Sequence, residues 1–241
     1  MTEKCQHVGN AIEDLGKRLE LDRKENQADP LVHCQKCQTV IGRQSHCGVL
    51  RLCGKCSGIE RDRIEQRRRS LAAIPPRYRQ AEMSASLCER LIACLPSGPG
   101  PHVLTLAGPP NVGKTWNACG LWRYCVEQGI AVTFWLVSDL MIYLAGLWRD
   151  QDCQPYEQIK ALEEFDGLLI LDDLGKESPS DAAIRNLFAI IYHRLMFDRP
   201  TLITTNLPWT AKQGIDSVES VYGKAWLWRL QPGYIAMTER K

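Results

Sequence analysis

The segment Gly-Pro-Pro-Asn-Val-Gly-Lys-Thr at residues 108–115 constrains the fold more than any other feature of this 241-residue chain. It follows a short apolar segment, residues 103–107, and precedes a stretch with helical character, residues 114–128. A glycine-rich loop between a strand and a helix lets backbone N–H groups turn inward around a phosphate, while the positive end of the helix faces the same anion. The pattern therefore predicts a phosphate-binding loop in an α/β domain.

The loop supplies the first group of candidate site residues. We expect nucleotide contacts from Gly108, Pro109, Pro110, Asn111, Val112, Gly113, Lys114, Thr115 and Trp116. Lys114 is predicted to reach the β- and γ-phosphates of ATP, and the Thr115 hydroxyl is predicted to ligate Mg²⁺. The alternative is a Gly-Pro turn that precedes Lys-Thr by chance.

Two further apolar segments end in polar side chains. Residues 168–171 lead into Asp172, predicted to hold Mg²⁺, and Asp173, predicted to orient or deprotonate the attacking water. Residues 201–205 lead into Asn206, which would face the γ-phosphate if its strand lies beside the one that leads to Asp172. Each could instead be an ordinary polar turn after a strand.

Strands and helices alternate after residue 100, which predicts a buried, mostly parallel sheet between helices in an α/β fold. The predicted strands are 103–107, 131–137, 168–171 and 201–205, and the predicted helices are 80–95, 114–128, 138–149, 156–165 and 179–197. The expected organisation is a helical segment at 1–29 (helix 10–28), a cysteine-rich module at 30–57, a basic helical linker at 58–75 and a nucleotide-binding domain at 76–241.

Four of the 11 cysteines have the spacing C-x2-C-x15-C-x2-C. They are Cys34, Cys37, Cys53 and Cys56. This spacing predicts a four-thiolate Zn²⁺ site whose metal supplies much of the folding free energy of a short segment. An iron–sulfur cluster or a redox pair is the alternative, and His46 or Cys47 could replace one ligand.

The apolar runs, the N-terminal segment and the cysteines indicate the cellular compartment. No apolar run approaches the roughly 20 residues needed to cross a bilayer, and the charged N-terminal segment has no apolar signal core. Clustered cysteines in a chain without secretion signals indicate metal binding in a reducing cytoplasm rather than disulfides. We therefore expect a cytoplasmic protein with no membrane partner.

Residues 75–241 resemble the AAA+ ATPases of the DnaC, DnaI and IstB group, which are bacterial and phage helicase loaders and transposition helper ATPases. The matching segments are 74–78, 108–115, 138–140, 168–175, 203–206 and 222–230. The resemblance implies a P-loop AAA+ fold, a three-layer parallel sheet with helices on both faces, preceded by a small zinc-ribbon-like domain. It also implies the cytoplasm of a bacterial or phage-infected cell.

The resemblance assigns roles to three more residues. Asn206 is similar to sensor 1, Arg229 to the arginine finger and Arg240 to the sensor 2 arginine, which contacts nucleotide. Because a finger acts on the nucleotide of a neighbouring copy, the resemblance implies self-association on ATP binding. Arg229 and Arg240 could otherwise be solvated surface charges.

The function implied is that of an ATPase, slow on its own, that loads a replicative hexameric DNA helicase of the DnaB type onto single-stranded DNA during replication. The zinc module would then grip the helicase. One alternative is an IstB-like transposition helper ATPase, and another is a zinc-dependent binding adaptor with a vestigial ATPase. The basic run at Arg67, Arg68 and Arg69 could contact DNA phosphates or form a solvated helix face.

Overall fold

The computed structural model describes residues 31–43, 52–147, 155–175, 181–210 and 216–238. The chain divides into two compact units, Met1–Glu65 and Gln66–Lys241. The predicted helix at 10–28 and the predictions for His46, Cys47 and Arg240 lie outside the described residues. None of the helices in the described ranges is both long and apolar enough to cross a bilayer.

The first unit contains a short antiparallel hairpin and the start of a long helix. Strand β1 (Leu31–His33) pairs with β2 (Val40–Arg43). Helix α1 (Gly54–Ala73) begins four residues before the predicted basic helix, and the boundary between the units falls inside it. The sequence predicted only loops and turns between 30 and 57, because strands this short carry little periodic signal.

The second unit is built on a five-stranded sheet in the order β4-β5-β6-β3-β7, with every neighbouring pair parallel. The strands are β3 (Val103–Ala107), β4 (Val132–Leu136), β5 (Leu168–Leu174), β6 (Thr201–Thr205) and β7 (Tyr234–Ala236). This sheet confirms the predicted α/β fold class. Strands β3 and β6 have the predicted bounds, whereas β5 continues through both acidic residues instead of ending before them.

Helices connect these strands. They are α2 (Ala85–Ala93), α3 (Lys114–Gln128), α4 (Val137–Leu147), α5 (Pro155–Glu164), α6 (Asp181–Met196), α7 (Val218–Tyr222) and α8 (Lys224–Leu230), with 3₁₀ turns at Pro76–Tyr78 and Gln231–Gly233. Helix α3 has the predicted bounds. The C-terminal group of α7, α8 and β7 was not predicted, since these elements are only three to seven residues long.

The sheet separates two apolar cores. Leu104 and Ile170 pack on one face with residues of α3, whereas Val103 and Leu169 pack on the other face with residues of α6. Successive side chains of a strand point to opposite faces. Because both faces are covered, the residues of β3, β5 and β6 are buried at nearly every position, which is why the sequence shows short runs rich in apolar residues and threonine rather than alternation.

The strand order determines where the polar side chains meet. Strand β6 lies between β3 and β5, and all three run in the same direction. Their carboxyl ends therefore lie side by side at one edge of the sheet. The loop after β3, the acidic end of β5 and Asn206 after β6 all come to this edge, as the sequence predicted for adjacent strands.

Candidate functional site

The loop at 108–115 closes over the side chain of Lys114. This lysine is 7% exposed, and its Nζ donates hydrogen bonds to the backbone oxygens of Gly108 and Pro109, each at 2.7 Å. Asn111 (φ 66°) and Gly113 (φ 92°) adopt left-handed backbone conformations that turn the chain before the helix begins. The loop thus places a buried ammonium group and the start of α3 at one position, as phosphate binding requires.

Gly108 is required by a close approach of the backbone. A Cβ atom at this position would lie 2.2 Å from the backbone oxygen of Met237. The Met237 N–H donates to the Ala107 oxygen at 2.7 Å and so brings the segment after β7 against the start of the loop. A larger residue at 108 would force the loop away from its position.

Asn117 anchors the loop from the first turn of α3. Its Nδ2 donates to the Gly113 oxygen at 2.8 Å, and its Oδ1 accepts a hydrogen bond from the Ser84 N–H at 2.7 Å. The side chain is 3% exposed. One amide therefore joins the phosphate loop to the segment that precedes α2, a role that the sequence analysis did not identify.

Asp172 is brought against the loop by strand β5. The Thr115 hydroxyl lies 3.1 Å from both Asp172 carboxylate oxygens, and the Thr204 hydroxyl donates to Oδ1 at 2.6 Å. The two residues predicted to hold Mg²⁺ are thus in contact. A carboxylate and a hydroxyl are the hard oxygen ligands that Mg²⁺ prefers, so this pair fits the ion that ATP carries.

The environment of Asp172 is largely desolvated, since the residue is 4% exposed. Burial raises the pKa of its carboxyl group above the usual value, and the negative charge of Asp173 raises it further. Hydrogen bonds from Thr204 and Thr115 and the charge of Lys114 act in the opposite direction and lower the pKa. A buried carboxylate in this setting gains from a nearby cation, because the cation offsets the lost hydration.

Asp173 and Asn206 form a second pair at the same edge. Asn206 Nδ2 donates to Asp173 Oδ1 at 2.8 Å. The Asp173 backbone is left-handed (φ 67°), and its N–H donates to the Thr204 hydroxyl at 2.9 Å. The structure thus brings Asn206 to Asp173, and it identifies Thr204, which the sequence analysis missed, as a contact of both acidic residues.

The other predicted nucleotide contacts are more exposed. Pro109, Pro110 and Asn111 are exposed, and Trp116 is 41% exposed. The Trp116 and Tyr78 rings form a T-shaped pair with their centroids 6.5 Å apart. These aromatic rings lie beside the loop that carries Thr115.

Arg229 lies on α8. Its guanidinium carbon is 5.3 Å from the ring centroid of Phe188 and 4.9 Å from that of Tyr192, and Nη1 donates to the Ala225 oxygen at 3.1 Å. The preceding residue, Trp228, is 75% exposed. Arg229 contributes none of the hydrogen bonds described above for the loop and the two acidic residues.

The four predicted zinc ligands converge within the first unit. The Sγ atoms of Cys34, Cys37, Cys53 and Cys56 all lie within 4.8 Å of one another. The Sγ atoms of Cys37 and Cys53 are 3.6 Å apart, close to the roughly 3.8 Å separation that tetrahedral zinc–thiolate bonds require. The hairpin turn carries the first pair, and the first turn of α1 brings Cys56 beside Cys53.

The thiols have very different proton affinities. Hydrogen bonds with the backbone of Cys53 and Cys37 lower the pKa of Cys34 to about 6, while contacts with the side chains of Cys53 and Cys37 raise the pKa of Cys56 to about 12. Four thiolates this close repel one another, so all four can ionise together only around a cation. The donor set fits Zn²⁺.

A family model described as "IstB-like ATP binding protein" matches residues 99–230, more than half of the chain. The chain is 35% identical over 126 residues to a protein described as an ATP-binding protein of the insertion sequence IS1162 from Pseudomonas fluorescens. That match covers 51% of this chain and 53% of the relative. The chain thus spans about half the length, or less, of the curated relatives it matches.

Solved structures share the fold at lower identity. The crystal structure of the DnaC helicase loader is 24% identical with a TM-score of 0.53, covering 69% of this chain and all of that one. The replication initiator DnaA bound to AMPPCP and single-stranded DNA is 15% identical with a TM-score of 0.56, covering 70% of this chain and 52% of that one. These likenesses confirm the predicted AAA+ fold of the second unit.

Proposed function

The chain belongs to the IstB-like ATP-binding family, and we propose that it hydrolyses ATP together with Mg²⁺ at the edge formed by β3, β5 and β6. The observation that carries this proposal is the contact of Thr115 and Asp172 beside the buried Lys114. A vestigial ATPase would have no need to keep these groups together. The intact set therefore favours an active enzyme over a pure binding adaptor.

Each residue has a distinct task in this proposal. Lys114 neutralises charge on the β- and γ-phosphates, and Thr115 and Asp172 would hold Mg²⁺. Mg²⁺ held there would act as a Lewis acid and stabilise the charge that develops on the transferred phosphoryl group. Asp173 orients the attacking water or accepts its proton, and Asn206 fixes the Asp173 carboxylate through its hydrogen bond.

Arg229 acts on the nucleotide that is bound to a neighbouring copy of the chain. Its guanidinium is held over two aromatic rings next to the exposed Trp228, on a surface that a second copy could cover. ATP would then promote self-association. Replacing Arg229 with Ala should preserve ATP binding and remove both hydrolysis and ATP-dependent assembly, and unchanged hydrolysis would place the finger elsewhere. The proposed sensor 2 role of Arg240 is tested with Arg240→Ala in the same assays of ATP binding and hydrolysis.

The four-cysteine cluster is proposed as a structural Zn²⁺ site. The convergence of all four sulfur atoms supports this role. A site closed by four thiolates leaves no position for a substrate, so its function is to fold a docking module. An iron–sulfur cluster would use the same ligands, and metal analysis separates the two.

For the partner, we propose a replicative hexameric helicase that the protein loads onto single-stranded DNA in the cytoplasm of a bacterial or phage-infected cell. The four-cysteine module ahead of the ATPase unit supports this, because some loaders that the sequence resembles grip the helicase with such a module. The exposed basic residues 67–69 on α1 offer phosphate contacts.

A second candidate is a transposition helper that acts with a transposase on duplex DNA. The similarity to insertion-sequence ATP-binding proteins favours it. Both candidates use the same ATPase, so the partner and the form of DNA distinguish them.

The deciding experiment is retention of purified partners on the immobilised full chain, with ATP and without nucleotide. Lys114→Ala serves as the variant that cannot bind nucleotide, and Cys34→Ser as the variant with a disrupted cysteine cluster. Retention of the host helicase that depends on ATP or on an intact Cys34 supports the loader, and retention of a transposase supports the helper. Retention that is insensitive to Lys114→Ala, together with no ATP hydrolysis, would support the adaptor instead.

A further inference from the structure

A single hydroxyl connects the two acidic residues of the site. Thr204 Oγ1 donates to Asp172 Oδ1 at 2.6 Å and accepts a hydrogen bond from the Asp173 N–H at 2.9 Å. A threonine hydroxyl has one proton to donate, so donation to Asp172 uses its full donor capacity. Thr204 itself is 1% exposed, so its side chain is shielded from solvent.

An irregularity in the sheet explains why a side chain is needed here. The register between β5 and β6 shifts between Leu171 and Leu174, so the two acidic residues fall in a bulge. A bulge leaves a residue without its usual ladder partner and redirects its side chain. The Thr204 hydroxyl accepts the Asp173 N–H in place of a backbone oxygen and holds the left-handed turn at Asp173.

We propose that Thr204 is a positioning residue that holds the Asp172 carboxylate for Mg²⁺ and the Asp173 backbone for the attacking water. This role rests on the proposed ATPase function. Among the described residues, the Thr204 hydroxyl forms hydrogen bonds with the two aspartates and with no residue of the loop. Thr204 therefore acts on the site through the two aspartates. Its effect should therefore appear in the metal dependence of nucleotide binding and in turnover, and not in metal-free nucleotide binding.

The chain contains a matched control on the neighbouring strand. Thr105 of β3 is also 1% exposed, and within the described residues its hydroxyl has no hydrogen-bond partner. Replacing either threonine with Val exchanges a hydroxyl for a methyl group of similar size. Only the change at 204 removes hydrogen bonds, so only that change should affect the site.

The experiment compares the full-length wild type with Thr204→Val, Thr204→Ser and Thr105→Val. ATP binding is measured in EDTA and again across a Mg²⁺ titration, and hydrolysis is measured across the same titration. For Thr204→Val we expect unchanged binding in EDTA and a rise of about 10–100-fold in the Mg²⁺ concentration that gives half-maximal effect, the size typical for loss of a residue that orients a metal ligand. Thr204→Ser should restore most of the wild-type response, and Thr105→Val should match the wild type.

A double-mutant test ties the effect to Asp172. In an Asp172→Asn background, Thr204→Val should change the Mg²⁺ response little further, because the ligand that it positions is already lost. Fully additive effects would overturn the proposal. So would a wild-type Mg²⁺ response in Thr204→Val, or a serine variant as impaired as the valine variant, which would indicate a packing role for the methyl group.

Failure of this proposal differs from failure of the proposed function. If the wild type binds Mg²⁺–ATP without hydrolysing it, the ATPase proposal is wrong, and the Mg²⁺ dependence of binding still decides the role of Thr204. Thermal unfolding of each variant is compared in EDTA. If Thr204→Val does not fold, Thr204→Ala, which also removes the hydroxyl, and its double mutant with Asp172→Asn carry the test.

Discussion

The side-chain amide of Asn206 donates a hydrogen bond to Asp173 Oδ1 across 2.8 Å, although the two residues lie 33 positions apart in the chain. The contact forms because β6 is the sheet neighbour of β5, so that the residue after one strand meets the acidic end of the other. The pair thus has the form of a base held by an orienting group.

The first prediction concerns this pair. Asn206→Ala should leave ATP binding unchanged and lower the turnover number by about 100-fold. Without its hydrogen bond the Asp173 carboxylate can shift by about 1 Å, and a base displaced this far is no longer aligned with the attacking water. Steady-state hydrolysis at saturating Mg²⁺–ATP measures the effect. Asp173→Ala should lower the turnover number by about 10²–10⁴-fold.

The double variant Asn206→Ala/Asp173→Ala tests whether Asn206 acts by orienting Asp173 or acts on the nucleotide or water directly. If Asn206 works through Asp173, the combined loss should be close to that of Asp173→Ala alone. Multiplicative losses would instead show that Asn206 contacts the γ-phosphate or the water by itself.

The second prediction concerns Lys114. Replacing it with Ala removes the ammonium group that binds the Gly108 and Pro109 oxygens, and with it a charge-assisted bond to phosphate worth about 1.5–3 kcal/mol. ATP affinity should fall by at least about 10–100-fold in equilibrium binding. Lys160→Ala is the matched control, since Lys160 forms an exposed pair with Glu164 on α5. Equal affinities for the two variants would contradict the assignment of the loop.

The third prediction concerns the metal. The full chain purified without chelator should carry about one zinc ion, and Cys34→Ser should lose it, because three thiolates and a hydroxyl hold zinc more weakly than four thiolates. Cys88→Ser is the control, since Cys88 is a half-exposed free thiol outside the cluster. Elemental analysis of the protein gives the ratio. Iron with inorganic sulfide would identify a cluster, and zinc retained in Cys34→Ser would remove Cys34 from the ligand set.

The elements with strong local signals were predictable from the sequence. Strand β3, the loop and α3 follow from one motif whose glycines, lysine and apolar flanks each have a local physical reason. Strand β6 likewise carries its pattern within a few residues, and the four cysteines are recognisable from the spacing of two C-x2-C pairs. Thr115 and Asp172 were both predicted to hold Mg²⁺, and the contact between them is an addition from the structure.

Other features depended on contacts that the sequence does not encode locally. The role of Thr204 arises from a register shift between two strands, and its sequence context, a five-residue strand with three threonines, gives no sign of it. Asn117 sits on a buried face of α3 where a helix pattern predicts packing. The short α7, α8 and β7 gain their stability from tertiary contacts, so propensity alone could not place them.

Arg194 is a clear case of a residue whose sequence context misleads, since a basic residue in the last turn of a helix is usually a surface charge. It is instead fully buried. Its Nε donates to the Thr201 hydroxyl, and its two terminal nitrogens donate to four backbone oxygens, all at 2.8 Å. The acceptors belong to residues 162, 165, 167 and 200. Burial lowers the pKa of Arg194 to about 10, so it stays protonated at neutral pH.

The fourth prediction follows from this arrangement. Arg194→Leu should lower the free energy of unfolding by at least about 3 kcal/mol, because it leaves buried carbonyl groups unpaired at about 1–3 kcal/mol each. Arg194→Lys should rescue little, since one ammonium cannot reproduce the planar fork that reaches all five acceptors. Arg185→Leu, at an exposed position of the same helix, should stay within about 0.5 kcal/mol of the wild type. Urea denaturation followed by circular dichroism measures all three variants, and equal midpoints for Arg194→Leu and Arg185→Leu would show that the buried hydrogen bonds contribute no net stability.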